Sequence, residues 1–251
     1  MTAGWEVASL LLLNSLADES AYLNRVIAAV AASHSLKALP LVLLLTGFWF
    51  VMAERQNRRA AVIAGFGGGI LAVLVTRLIQ NFGPHRPRPF EHPAVDFNHP
   101  TGLSEPTLAG WSSFPSDTAS LLFALATGVF LAHRRFGLLA LVWAGVVGSL
   151  PRVYLGFHFP SDILVGAAIG AGAVVLVYVT GLPRRLAIAS DRVMTRYPSI
   201  FYPAALAFVF QVTTMFDDAR RLGTHLLNPA PTTVSSAPTP PDAAAISGER
   251  E

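Results

Sequence analysis

The sequence predicts an all-α fold: a polytopic membrane helix bundle of about six transmembrane helices, with amino-terminal interfacial helices ahead of it. Only 13% of the 251 residues are charged, against about 25% in ordinary soluble domains. A further 53% belong to the apolar set, and they gather into runs close to the roughly 20 residues that cross a bilayer. The 18 Lys and Arg stand against 15 Asp and Glu, a net charge of +3 that is too slight to suggest a nucleic-acid partner. Cysteine is absent, which excludes disulfides, thiolate metal sites and cysteine nucleophiles.

Taken in order, residues 5–17 are apolar but too short to span and carry no basic flank, so they read as an interfacial or re-entrant helix. Ala21–Ala32 alternates Leu23, Val26, Ile27 and Val30 with Asn24 and Arg25, an amphipathic pattern suited to lying on a membrane. Spans are expected at residues 36–53, 60–80, 114–132, 136–155 and 159–182, with a sixth at 200–216 that contains Pro203 and Gln211. The fourth and fifth are joined only by Gly156, Phe157 and His158. Gly65, Gly67, Gly68 and Gly69 lie inside an apolar span, where close helix packing explains them better than a nucleotide loop, and Gly166 and Gly170 are a weak dimerisation cue. The segment from Pro229 on is rich in Pro, Thr, Ser and Ala and is expected to be disordered. The resulting division is 1–35 interfacial, 36–226 the membrane domain and 227–251 a tail.

Orientation is set by the short loops, because Lys and Arg collect on the cytoplasmic side. Arg55, Arg58 and Arg59, then Arg134 and Arg135, then Arg184 and Arg185 all fall on one side. That side is expected to be cytoplasmic, which puts residues 81–113 and the Gly156–His158 junction outside. Arg77, Arg86 and Arg88 then break the charge rule, and binding an anion is the natural explanation.

Polar residues converge at the outer span ends in three stretches: RLIQNFGPHRPRPF at 77–90, SSFPSDT at 112–118 and PRVYLGFHFPSD at 151–162. Arginine forks hold phosphate oxygens bidentately, and a helix amino terminus adds unpaired N–H groups. Together these describe a phosphate pocket. Ser116 and Asp117 also read as helix caps, and Arg77 and Arg86 read equally as headgroup anchors. His85, His92 and His99 read as surface residues, and His92 and His99 are not spaced as a helical metal pair.

The third stretch resembles the Ser-Arg-x5-His-x3-Asp signature of the type 2 phosphatidic acid phosphatase superfamily at Arg152, His158 and Asp162. The second is similar to its Pro-Ser-Gly-His motif, in the Ser-Phe-Pro-Ser-Asp-His form of bacterial undecaprenyl pyrophosphate phosphatases. The first resembles Lys-x6-Arg-Pro at Arg88 and Pro89, and residues 13–17, LNSLA, look like the start of the undecaprenyl enzymes. The likeness covers roughly residues 36–181. It implies that His158 attacks phosphorus to form a phosphohistidine, that Asp162 orients and charges it, and that Arg88 and Arg152 clamp the phosphate. Ser116 joins that phosphate-binding set, with Arg77 and Arg86 as further cations. It also implies metal-independent chemistry with no cofactor, on a polyprenyl diphosphate or other phospholipid of the bacterial cytoplasmic membrane, with the site facing outward.

Three positions depart from the pattern: Asn81 replaces the lysine of the first motif, Thr118 the histidine of the second and Pro151 the serine of the third. Thr118 removes the general acid, which is usually worth about 10²–10⁴ in rate. A monoester expelling a basic alkoxide is hurt most. A diphosphate expels a phosphate, whose second pKa near about 6 lets it leave unprotonated, so undecaprenyl pyrophosphate is the favoured lipid. Arg77 or Arg86 is left to replace the missing lysine's charge, and His85, His92 or His99 to supply a proton. A phosphotransferase, and a catalytically weak lipid-phosphate-binding subunit of a membrane complex, stay open as alternatives, as does association with a second copy.

Overall fold

The computed structural model of the chain describes residues 4–93, 95–100 and 110–217, apart from the side chain of Asp18. The chain divides into two units, Met1–Phe216 and Asp217–Glu251, and the helix bundle occupies the first. The expected boundary at 226/227 and the expected tail lie outside the described residues.

Among the described residues the regular structure is entirely helical. Helix α1 (Gly4–Asn14) runs into a 3₁₀ turn, Ser15–Asp18, and α2 (Ala21–Ala32) comes next, its first turn capped by Ser20. α3 (His34–Phe50) is bent 54° from α2. The fully buried Lys37 donates from Nζ to the carbonyl of Ala31 at the end of α2, a cation placed at the negative end of a helix dipole. The backbone carbonyl of Lys37 also accepts from Trp143 Nε1 at 3.2 Å, tying the bend to the fourth span.

α4 (Arg55–Phe82), the continuous run Arg134–Tyr154 and α8 (Pro160–Val179) are each long and apolar enough to cross a membrane, and α2 with α3 also qualifies when the pair is counted as one bent span. α5 (Asp117–Ala132) and α10 (Pro198–Thr213) are apolar but only 16 residues long. Of the six expected spans, three therefore meet the length directly. α5 starts three residues later than expected because Ser116, whose Oγ accepts from Ala119 N at 3.3 Å, fixes its first turn. It is the central rod: residues 118–129 except Phe123 are buried, between α4, α8 and the fourth span.

That fourth span is α6 (Arg134–Trp143), a π turn (Ala144–Ser149) and α7 (Leu150–Tyr154). Pro151 has no amide hydrogen and crowds the carbonyl four residues back, a known cause of local helix widening, and π turns often sit at functional sites. α8 lies against α5 through Gly166 and Gly170, where a Cβ would strike the backbone carbonyls of Ser116 and Ser120. Both glycines of the dimerisation cue thus serve contact within the chain.

One element is not expected from the sequence. α9 (Leu182–Arg196) is amphipathic and falls where the sequence reading leaves a loop. Asp191 on α9 receives Arg55 Nη2 at 2.6 Å, Gln56 Nε2 at 3.1 Å and Arg59 Nη1, which locks α9 to the start of α4.

Candidate active site

The tight junction between the fourth and fifth spans is built around one carbonyl. Arg152 O accepts from Phe157 N at 2.9 Å and from His158 N at 3.3 Å, so the chain folds back on α7 and brings His158 beside the residue six before it. Gly156 makes the reversal at φ +69°, and a Cβ there would lie 2.6 Å from the ring of Phe97, so both conformation and space require glycine. Pro160 then opens α8. Asp162 Oδ2 accepts from Phe159 N at 2.8 Å, capping the new helix.

Backbone bonds lace the three stretches together. Phe90 N donates to Gly156 O at 3.2 Å, Ser113 N to Arg86 O at 2.9 Å and Ser116 N to Asp162 O at 3.1 Å. Arg88, Arg152, His158, Asp162, Ser116 and Thr118 are all buried in the result.

His158 is held on both ring nitrogens. Nδ1 lies 2.8 Å from the carbonyl of Ser113; a carbonyl only accepts, so Nδ1 carries the proton. Nε2 then presents its lone pair, which takes a hydrogen from Arg152 Nη2 at 3.0 Å. Asp162 Oδ2 is 3.7 Å from Nδ1, beyond hydrogen-bond length. Burial, followed by the positive charge of Arg152, pulls the His158 pKa down to about 4, against the opposing pull of the nearby Asp162 carboxylate. The ring is therefore neutral near neutral pH.

Arg88 donates to Phe157 O at 2.8 Å, while its buried Nε has no hydrogen-bond partner among the described residues. Burial, only partly offset by Asp117, Glu91 and Asp162, lowers its pKa. A desolvated guanidinium with an unmet donor favours an anionic partner.

The other cations are differently placed. Arg86 Nη1 donates to Asp162 Oδ1 at 2.6 Å and Ser161 Oγ at 2.8 Å, and Nη2 to Glu6 Oε1 and Oε2 at 3.1 and 3.0 Å. Arg77 Nη2 pairs with Asp117 Oδ2 at 2.6 Å and stacks 5.6 Å over Trp111. Asp117 thus faces an arginine, the arrangement that tolerates a carboxylate near a phosphate. Asn81 is exposed at the end of α4. The Thr118 hydroxyl and amide both turn to Asp117 Oδ1, at 3.5 and 2.7 Å. His85 is exposed, the His92 ring meets Phe159 edge-on at 6.1 Å, and His99 lines a cavity of about 620 Å³ with Leu11, Asn14 and Asp96. Among the described residues no group of three or more His, Asp or Glu side chains could hold a metal.

Sequence reasoning missed two participants. The Ser113 carbonyl carries no side-chain signal at all. Glu6 did leave one, as the single acid in the apolar run of α1.

The sequence pattern of the PAP2 superfamily matches residues 69–186, which contain all three stretches. The bacitracin transport permease protein BcrC of Bacillus licheniformis is 28% identical over 170 residues, 67% of this chain and 76% of that protein. The decaprenylphosphoryl-5-phosphoribose phosphatase of Mycobacterium tuberculosis is 36% identical over 142 residues, 54% of this chain and 68% of that protein. The undecaprenyl-diphosphatase BcrC of Bacillus subtilis is 28% identical over 122 residues, 49% and 58%. No solved structure matches the chain. A relative above 30% identity matched over two thirds of its length, together with the superfamily pattern over the helices that carry the cluster, decides the assignment: this chain is a multi-pass membrane protein of the PAP2 phosphatase superfamily.

Proposed function

We propose that the protein removes the terminal phosphate of a polyprenyl diphosphate, undecaprenyl pyrophosphate above all, at the outer face of a bacterial cytoplasmic membrane. The observation that carries this is the state of His158: neutral, with Nδ1 donating its proton to the Ser113 carbonyl and the Nε2 lone pair facing Arg152.

The terminal phosphate takes the place of the imidazole as partner of Arg152 and fills the unmet Nε–H of Arg88. Nε2 attacks phosphorus, the bond to the bridging oxygen breaks, and the lipid leaves as its monophosphate. The positive charge that the ring gains is balanced by Asp162. Water then attacks phosphorus, the N–P bond breaks, inorganic phosphate departs and His158 returns to its neutral form. Ser116 fixes the start of α5 beside this pocket.

Thr118 favours the diphosphate, because its hydroxyl does not release a proton near neutral pH and a phosphate leaving group needs none. The relative named as an undecaprenyl-diphosphatase is in keeping with that substrate class. A second reading has one observation behind it: the Mycobacterium relative is named for a polyprenyl-linked sugar phosphate, a monoester whose leaving group is an alkoxide. The outward-facing orientation rests on the three basic loops; the pairing of Arg55 and Arg59 with Asp191 does not weaken it, since acidic residues contribute little to that rule. Phosphate release from undecaprenyl pyrophosphate, compared with a lipid monophosphate and a polyprenyl sugar phosphate, tests the reading and separates the two substrate classes.

A further inference from the structure

Building on the proposed role of His158, we infer that Glu6, on the amino-terminal helix α1, is a positioning residue for the reaction and acts through Arg86 on Asp162. Glu6 lies outside all three motif stretches. It is nonetheless 4% exposed in a helix that is otherwise mostly apolar, and a buried carboxylate is retained only where a partner compensates its lost hydration.

The geometry is a bridge. One guanidinium joins two buried carboxylates, with Nη1 on Asp162 and Nη2 on both oxygens of Glu6, and the Phe159 ring covers it 4.2 Å away. Both carboxylates are removed from water, 5% and 0% exposed, so neither charge is well screened by solvent.

The charge count gives the bridge its meaning. Asp162 paired with Arg86 alone would be neutral and could offer His158 little. With Glu6 the three groups sum to one negative charge, held where Asp162 Oδ2 lies 3.7 Å from the imidazole. Attack by Nε2 makes the ring cationic beside Arg88 and Arg152, both of which already lower its basicity. The extra carboxylate offsets that repulsion. The same bond keeps Arg86 from drawing Asp162 out of line with His158, because a guanidinium anchored at both ends cannot follow one partner.

Glu6 therefore raises the rate of attack rather than the affinity for phosphate, since a less negative pocket holds an anion at least as well. Its effect also needs Arg86 to be present.

The test uses the full-length protein in detergent or vesicles, with kcat, KM and inhibition by inorganic phosphate measured for native protein, Glu6→Gln, Glu6→Asp, Arg86→Gln and Glu6→Gln/Arg86→Gln. Glu6→Gln should lower kcat about tenfold, the low end of what losing an outer partner of a functional side chain costs in metal sites, with KM and phosphate inhibition unchanged or tighter. Glu6→Asp keeps the charge and should stay within about threefold of native, and the double variant should be no slower than Arg86→Gln alone, as a shared route requires. Native kcat in Glu6→Gln, phosphate inhibition weakened in step with kcat, a Glu6→Asp as slow as Glu6→Gln, or additive losses in the double variant would each overturn the inference. A native protein that releases no phosphate would instead overturn the proposed function, so the two failures are distinct.

Discussion

His158 Nδ1 lies 2.8 Å from the carbonyl oxygen of Ser113, closer than the 3.7 Å to Asp162 Oδ2. The bond joins the loop before α5 to the junction before α8, and it decides which imidazole nitrogen is free. Asp162 in turn caps α8 and binds Arg86. Orientation of the ring and supply of negative charge are therefore divided between two groups.

The depressed His158 pKa makes the first prediction. An unfolded histidine titrates near about 6.5 and this one near about 4, so between those values the unfolded chain holds more protons and stability falls as the pH drops. The contribution is fully present above pH 6.5 and lost on acidification through pH 4, amounting to roughly 3 kcal/mol at about 1.4 kcal/mol per pH unit. Imidazole NMR should show a neutral Nδ1–H ring still at pH 5. A midpoint near 6.5 would contradict the burial argument.

The clamp gives the second. Each charged hydrogen bond to phosphate is worth about 1.5–3 kcal/mol, so Arg88→Ala or Arg152→Ala should weaken inhibition by inorganic phosphate by about 10-fold to 100-fold. Arg77→Ala should cost much less, because Arg77 is paired to Asp117. Equal losses at all three positions would show that the ion pair does not withdraw Arg77 from the phosphate.

Helix contact at the site gives the third. A methyl added at Gly170 meets the Ser120 carbonyl, and overpacking of this kind costs about 1–3 kcal/mol. Gly170→Ala should lower the unfolding temperature and reduce activity together, since α8 carries Asp162. Gly172, where a Cβ meets nothing within 4 Å, is the control: Gly172→Ala should leave activity unchanged and the unfolding temperature the same or higher.

Much of this arrangement is legible in the sequence alone. Arg152, His158 and Asp162 can be grouped because a three-residue junction between two helices leaves little freedom in how their ends meet. The glycines of α4 and α8 can be assigned to packing because they sit inside apolar runs. What each cation touches cannot be read. Arg86 and Arg88 lie two residues apart in an extended segment, and one reaches Asp162 and Glu6 while the other reaches the Phe157 carbonyl. Which of the two is engaged by carboxylates depends on α8, 76 residues later, and on α1, 80 residues earlier, and no local pattern carries those distances. α9 escapes a search for spans because such a search looks for unbroken apolar runs, whereas its four arginines and Asp191 break every such run. The Ser113 carbonyl is backbone, and every residue has one.

The chemistry of the leaving group gives the fourth prediction. On the proposed reading Thr118 stands in for the proton donor, and it is buried and turned to Asp117. Thr118→His should add a proton donor and raise monoester hydrolysis by about 10²-fold or more, with a much smaller change for the diphosphate. A gain of equal size on both substrates would mean that leaving-group protonation does not set the preference.

The central claim is that His158 is a nucleophile on a lipid diphosphate, and phosphate release by the purified protein without added metal tests it most directly. Native protein, His158→Ala and Thr118→His are compared on a polyprenyl diphosphate and a lipid monophosphate. Native protein should release phosphate from the diphosphate, His158→Ala should release none, and strong monoester activity should appear only in Thr118→His. Release that survives in His158→Ala would contradict the claim.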